Sequence, residues 1–137
     1  YTRKISGPLL DRIDIHIRVP RVAYQELVAK EKAESSACIR ERVSAARDIQ
    51  LKRLEKYHIF CNAQMNHAML RRTCPLTEGA QRLLAQVFQQ KSLSARSYDR
   101  IIKVSRTIAD LAGSRGIEEP HIAEAVQLRN DIGLQPE

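Results

Sequence analysis

The chain has 137 residues, a formal net charge of +7 and 43% hydrophobic residues, with a sequence pI near 9.7. That length suits one ordinary domain and is small for a complete nucleotide-driven enzyme, while the basic balance points toward an anionic partner such as nucleic acid or phosphate. No run approaches the roughly 18 consecutive apolar residues of a membrane span, no signal-peptide pattern opens the chain, and three cysteines without a CxxC pair argue against a disulfide framework. A soluble, cytoplasmic protein without a membrane partner is therefore expected.

In chain order, "SGPLLDRIDIHIRVP" comes first, at residues 6–20. Leu9 and Leu10 suit a short helical turn after Pro8. Ile13, Ile15, Ile17 and Val19 then alternate with Asp14, His16, Arg18 and Pro20, the period of two of a half-buried strand. Pro20 ends it, since proline cannot donate to a sheet ladder. One strand cannot stand alone, so its partners are expected elsewhere in a longer protein or in another chain. The patterned start without an initiator methionine also predicts a piece of something longer. The polar "AKEKAESS" at residues 29–36 marks the one seam, and divides the chain into a strand-bearing segment, 1–34, and a helical domain, 35–137.

From Ser35 onward the pattern is helical. Ser35 or Ser36 caps a helix with Ile39, Val43, Ala46 and Ile49 at helical spacing, running to about Tyr57. Asn62 suits the cap of a short helix over 63–71, and Pro75 marks a break. Thr77 caps a helix carrying Leu83, Leu84, Val87 and Phe88. Ser94 caps another, with Tyr98, Ile101, Ile102, Ser105, Ile108 and Ala112 along one side and Gly113 at its end. Pro120 fits the first turn of a last helix with Ile122, Ala125 and Val126 inward. The fold expected is mainly α, a small helical bundle preceded by a short strand-bearing segment.

Two arginines sit awkwardly. Arg12 lies between Asp11 and Asp14, and an exposed pair with either is worth only about 0–1 kcal/mol. An arginine ahead of an edge strand can instead reach a neighbouring subunit's γ-phosphate and stabilise charge in phosphoryl transfer. Arg96 falls in the first turn of the helix opened by Ser94, where the dipole disfavours a cation by about 0.3–1 kcal/mol. Screening by salt tolerates that cost, whereas a polyphosphate at the helix end turns it into an advantage.

Other constellations carry less. His58, Cys61, His67 and Cys74 are zinc-ligand types, but their spacings do not fit paired knuckles, and no metal site is expected. The basic helix over 36–56 offers Arg40, Arg47, Lys52 and Arg53 as candidate nucleic-acid contacts, set against a merely solvated face interrupted by Glu41, Asp48 and Glu55. Four Tyr, two Phe and no Trp leave few platforms for stacking bases.

"SGPLLDRIDIHIRVPRV", followed by "LSARSYDRIIKVSRTIADLAG" and "HIAEAVQLR", resembles the C-terminal part of the magnesium-chelatase-like AAA+ ATPases of the YifB/ComM family, with "ESSACIRERVSAARDIQLKR" and "NAQM" extending the similarity between them. The resemblance implies that residues 1–34 end an ATPase core and 35–137 form an AAA+ lid. It puts Arg12 of "LLDR" at the arginine finger, acting in trans, and Arg96 of "SAR" at sensor 2 on nucleotide phosphates. It further implies ATP and Mg²⁺ as cofactors of the intact protein and its own subunits as partners in a ring, usually a hexamer. DNA is implied as the substrate moved, by branch migration in recombination or transformation. The chain departs from the family in having no GxxxxGK[ST] phosphate loop and no apolar strand ending in an Asp-Glu pair, so by itself it is expected not to hydrolyse ATP. The competing expectation, a stand-alone helical nucleic-acid-binding module, leaves "SGPLLDRIDI" unexplained.

Overall fold

Residues 9, 12–17, 19–22, 24, 33–91 and 93–130 are described by the computed structural model. Leu10, Asp11, Arg18 and the first residues of the polar seam lie outside them. Five helices are delimited among the described residues: α1 Ser36–Leu54, α2 His67–Thr73, α3 Glu78–Lys91, α4 Ala95–Leu111 and α5 Glu119–Asn130. Their ends follow local chemistry. Ser35 Oγ accepts the Cys38 N–H at 3.3 Å, Thr77 Oγ1 accepts that of Ala80 at 3.3 Å, and Ser94 Oγ accepts that of Ser97 at 3.2 Å. Each side-chain oxygen satisfies one of the donors that a helix start leaves free. At the far end of α4, Gly113 takes φ +68 and Ser114 N–H returns to Ala109 O at 2.9 Å, a left-handed stop that glycine adopts without strain.

α4 is the central helix. It touches α5, α1, α2 and the short turn Asn62–Gln64, while α3 packs on α5. Ile101, Ile102 and Ala109 of α4 meet Leu54, Leu84, Ile122 and Ala125 in the apolar core. A single parallel bridge, Leu76 to Ile117, ties the approach to α3 to the approach to α5 through Thr77 N–H on Ile117 O and Ile117 N–H on Pro75 O. α1 joins the bundle only by its second half: residues 36–45 are all exposed, and burial begins at Ala46.

Two expectations are corrected. No strand forms over the described residues of 13–19, because a strand needs a neighbour to pair with and none adjoins it among the described residues; its sheet partners are expected elsewhere in a longer protein or in another chain. The segment instead touches the helices through His16, its one buried described residue, which donates its N–H to Leu128 O at 2.6 Å, while Ile15 and Ile17 are exposed. The expected turn before it is present at Leu9, whose carbonyl accepts the Arg12 N–H at 3.0 Å. Second, the short helix after residue 62 is capped by Asn66, whose Oδ1 accepts the Met69 N–H at 3.0 Å. Asn62 cannot serve there because its amide is used inside the protein.

That use is a buried polar network. Asp110, at the end of α4, receives Arg53 Nη1 at 2.7 Å and Nη2 at 2.6 Å, Arg106 Nε at 3.1 Å and Asn62 Nδ2 at 2.9 Å. Asn62 Oδ1 in turn accepts from Arg53 Nη2 at 2.8 Å, and its backbone N–H donates to Gln50 Oε1 at 3.1 Å. Arg106 turns its two terminal nitrogens to the carbonyls of Ser114 and Arg115 just beyond the helix. Burial draws the Arg106 guanidinium below its ordinary pKa, and Asp110 opposes that most strongly. One carboxylate thus fastens α1, the turn at Asn62 and the loop after α4 to one point. Asp110→Ala would strand two arginines, and is expected to cost about 3–5 kcal/mol, read as a lowered urea midpoint for unfolding. A midpoint within experimental error of the parent would remove the network from the fold's foundations.

Candidate functional site

The other end of α4 has the opposite character. Its first turn carries no acidic residue, Arg96 is exposed there, and Ser94 satisfies only one of the free amides. Arg96, Asp99, Arg100 and Lys103 follow at i, i+3, i+4 and i+7, one face of the helix. With Ala63 and Asp14 they line an open cleft of about 370 Å³.

Both acids of the cleft are already engaged. Asp99 Oδ1 lies 2.7 Å from His67 Nδ1, and Asp14 Oδ1 accepts from Arg100 Nη1. Lys103 Nζ donates to Ala63 O at 3.0 Å. Arg96 makes no hydrogen bond or ion pair with another described residue through its guanidinium. Three cations against two matched acids leave the cleft with a net positive field beside free helix amides, an arrangement suited to an anion with several oxygens.

Arg12 arrives at the same end of α4. Its side chain is exposed and makes no ion pair with another described residue, and its carbonyl accepts from Arg100 Nη1 at 2.8 Å. Asp14, one of the acids flanking it in sequence, is given to Arg100 instead. The next residues are held by α5: Ile13 O accepts from Arg129 Nη1 at 3.2 Å, and His16 Nδ1 is 3.3 Å from Arg129 O. Sequence reasoning singled out Arg12 and Arg96 but missed Arg100 and Lys103. Their i+4 and i+7 spacing from Arg96 was the available signal.

The remaining candidates separate. Arg40, Arg47 and Lys52 are exposed on α1, whereas both terminal nitrogens of Arg53 are bonded within the Asp110 network. Of the zinc-type residues, Cys74 is buried in the core and its thiol is pushed up by that burial, and His67 is taken by Asp99. Among the described residues no group of three or more His, Cys, Asp or Glu is arranged to hold a metal ion, and no described helix is long and apolar enough to cross a membrane.

Comparison with known proteins finds two family matches. The family described as magnesium chelatase, subunit ChlI C-terminal, matches residues 33–129, and that described as magnesium chelatase, subunit ChlI, matches residues 1–27. The chain is similar to the competence protein ComM of Haemophilus influenzae, 41% identical over 135 residues, covering 98% of this chain and 26% of that protein. It is also similar to the uncharacterized protein YifB of Escherichia coli, 36% identical over 131 residues, covering 94% of this chain and 25% of that protein. An uncharacterized protein of Mycobacterium tuberculosis is 34% identical over 131 residues, with coverages of 94% and 25%. The chain therefore spans about a quarter of the length of the curated relatives it matches.

Proposed function

The chain belongs to the magnesium chelatase subunit ChlI C-terminal family, with ComM and YifB relatives along nearly its whole length, and from that premise we propose that it is the C-terminal part of a ring-forming AAA+ ATPase. In this reading residues 1–34 end the ATPase core and 35–137 are its lid. One family match ends at residue 27 and the next begins at residue 33, which supports a division in the polar seam.

The observation that carries the proposal is the convergence of Arg12 and Arg96 on one end of α4 with neither guanidinium engaged by another described residue. The cleft beside Arg96 fits a polyphosphate, by its excess of cations and its free helix amides. Arg96 binds phosphate oxygens there as sensor 2, and its bidentate fork orients them. Arg12 reaches across the subunit boundary as the finger, placing positive charge where the transferring phosphoryl group becomes most negative. When bound, ATP with Mg²⁺ would supply the phosphoryl group and the metal charge, and of the cleft residues Arg96 would hold the phosphates, since both acids, Asp14 and Asp99, are already paired. The ring, a hexamer in this reading, is built from copies of the same protein, since a finger in trans needs a neighbour.

The work done is DNA remodelling of the branch-migration kind. The exposed cations of α1 and the name competence protein given to one relative support that part of the reading. Arg40, Arg47 and Lys52 are the contacts, as Arg53 is occupied in the core.

Turnover by a protein extended upstream through a phosphate loop tests the reading, with this chain alone as the inactive control. Arg12→Ala is expected to lower kcat by about a thousandfold or more while ATP affinity holds, with activity returning when the variant is mixed with subunits defective in their own phosphate loop. Normal turnover would refute the finger. Arg96→Ala is expected to weaken nucleotide binding or turnover about ten- to hundredfold, the worth of a charge-assisted hydrogen bond to phosphate. Unchanged affinity together with unchanged rate would remove it from the site. For DNA, replacing Arg40, Arg47 and Lys52 by alanine is expected to weaken binding at low salt and to flatten the salt dependence by about 0.9 in log–log slope per lost phosphate contact. An extended protein that binds DNA through α1 yet hydrolyses no ATP would favour the stand-alone binding module.

A further inference from the structure

We infer that Arg100 is a positioning residue for Arg12, an inference that rests on the finger reading above. The argument begins with Asp14. A finger needs a guanidinium free of intramolecular partners, yet Arg12 has an acid two positions away in a segment that forms no strand among its described residues. Left alone, such an acid is the natural partner for Arg12. Arg100 takes it: Nη1 bonds Asp14 Oδ1 and, 2.8 Å away, the carbonyl of Arg12 itself. One guanidinium thereby withholds one of the two carboxylates that flank Arg12 and pins the backbone from which the finger extends.

The pin is anchored in a stiff element. Arg100 stands one helical turn beyond Arg96 on α4, and α4 is locked at its other end by the Asp110 network. Its side chain is three-quarters buried, at 25% exposure, while Asp14 is exposed, so the arginine rather than the acid is the fixed member of the pair. Arg129 and His16 hold the residues that follow, but through Ile13 O and the end of α5. Arg100 is the described residue whose side chain reaches the backbone of Arg12. The finger and the phosphate-facing Arg96 therefore ride on one rigid helix, and a displacement of α4 carries both.

Arg100 also lines the phosphate cleft, so direct binding of phosphate is the competing role, and the two make different demands. A residue that acts through Arg12 lowers the rate at saturating ATP only while Arg12 is present, whereas an independent phosphate ligand lowers it with or without Arg12. Loosening a catalytic group by about 1 Å costs on the order of a hundredfold.

The test is a double-mutant cycle in the extended protein, reading kcat and ATP affinity for Arg12→Ala, Arg100→Ala and the two combined. The expected result is a ten- to hundredfold fall in kcat at saturating ATP for Arg100→Ala, whatever its effect on ATP affinity through the charge of the cleft, with the double variant no slower than Arg12→Ala alone. Mixing with subunits that have a defective phosphate loop but intact Arg12 and Arg100 is expected to restore turnover, which a misfolded Arg100→Ala subunit would not allow. If Arg12→Ala is slow but Arg100→Ala is normal, the positioning role fails and the finger stands. Multiplied losses of kcat in the double variant would instead make Arg100 act on phosphate independently of Arg12 and overturn the inference. Normal turnover of Arg12→Ala would overturn the finger itself, and the positioning role with it.

Discussion

The architecture depends on one carboxylate. Asp110 lies at the end of the central helix with no access to water, and a lone charge there would be strongly destabilising. Its four donors come from α1, from the turn at Asn62 and from α4 itself. Apolar contact alone would leave the angle of α1 loosely set, because that helix buries only its second half and offers Ala46, Gln50 and Leu54 as inward residues. The directional bonds from Arg53 and Asn62 supply what the small apolar area cannot. Buried ion networks of this kind are weak evidence of net stability but strong constraints on arrangement, since any displacement leaves a charge unmatched.

From that fixed end, α4 projects the same residue types with the opposite consequence. Arg106 is an arginine each of whose three nitrogens is hydrogen-bonded, and it is structural. Arg96 is an arginine whose donors find no partner among the described residues, in the helix turn least hospitable to a cation. What separates the two is the supply of acceptors: carboxylate and carbonyls at one end, exposed amides and engaged acids at the other. A helix rigidly held at one end and electropositive at the other is a suitable lever for sensing an anion.

Much of the helical architecture could be read in the sequence, because caps and apolar spacing are local signals. Ser35, Thr77 and Ser94 each bond the amide three residues on, and Ile122 and Ala125 turn inward as their spacing requires. What could not be read depended on partners distant in the chain. Asn62 has the sequence appearance of a cap, yet its bonds run to Gln50, Thr107 and Asp110, and no local rule announces them. Arg53 looked like one more cation on a basic helix until its partner, 57 residues away, was in place. Of the site, Arg12 and Arg96 were legible because each breaks a local expectation. Arg100 breaks none, since a charged residue at i+4 is ordinary on any exposed helix face.

The segment from Ile13 to Val19 has the residue order of a strand and the environment of a strap. Period-two alternation says which residues share a face, but the surroundings decide which face turns inward. Here the helices offer carbonyls at the end of α5 and a cation on α4, so His16 is drawn in, Asp14 pairs with Arg100 while still exposed, and Ile15, Ile17 and Val19 face outward. The strap thus turns Ile15, Ile17 and Val19 away from the helices while His16 and Asp14 stay bonded to them. Arg12 stands where the strap meets α4, and because Arg100 holds its carbonyl, a shift of α4 is passed directly to the backbone that carries its guanidinium.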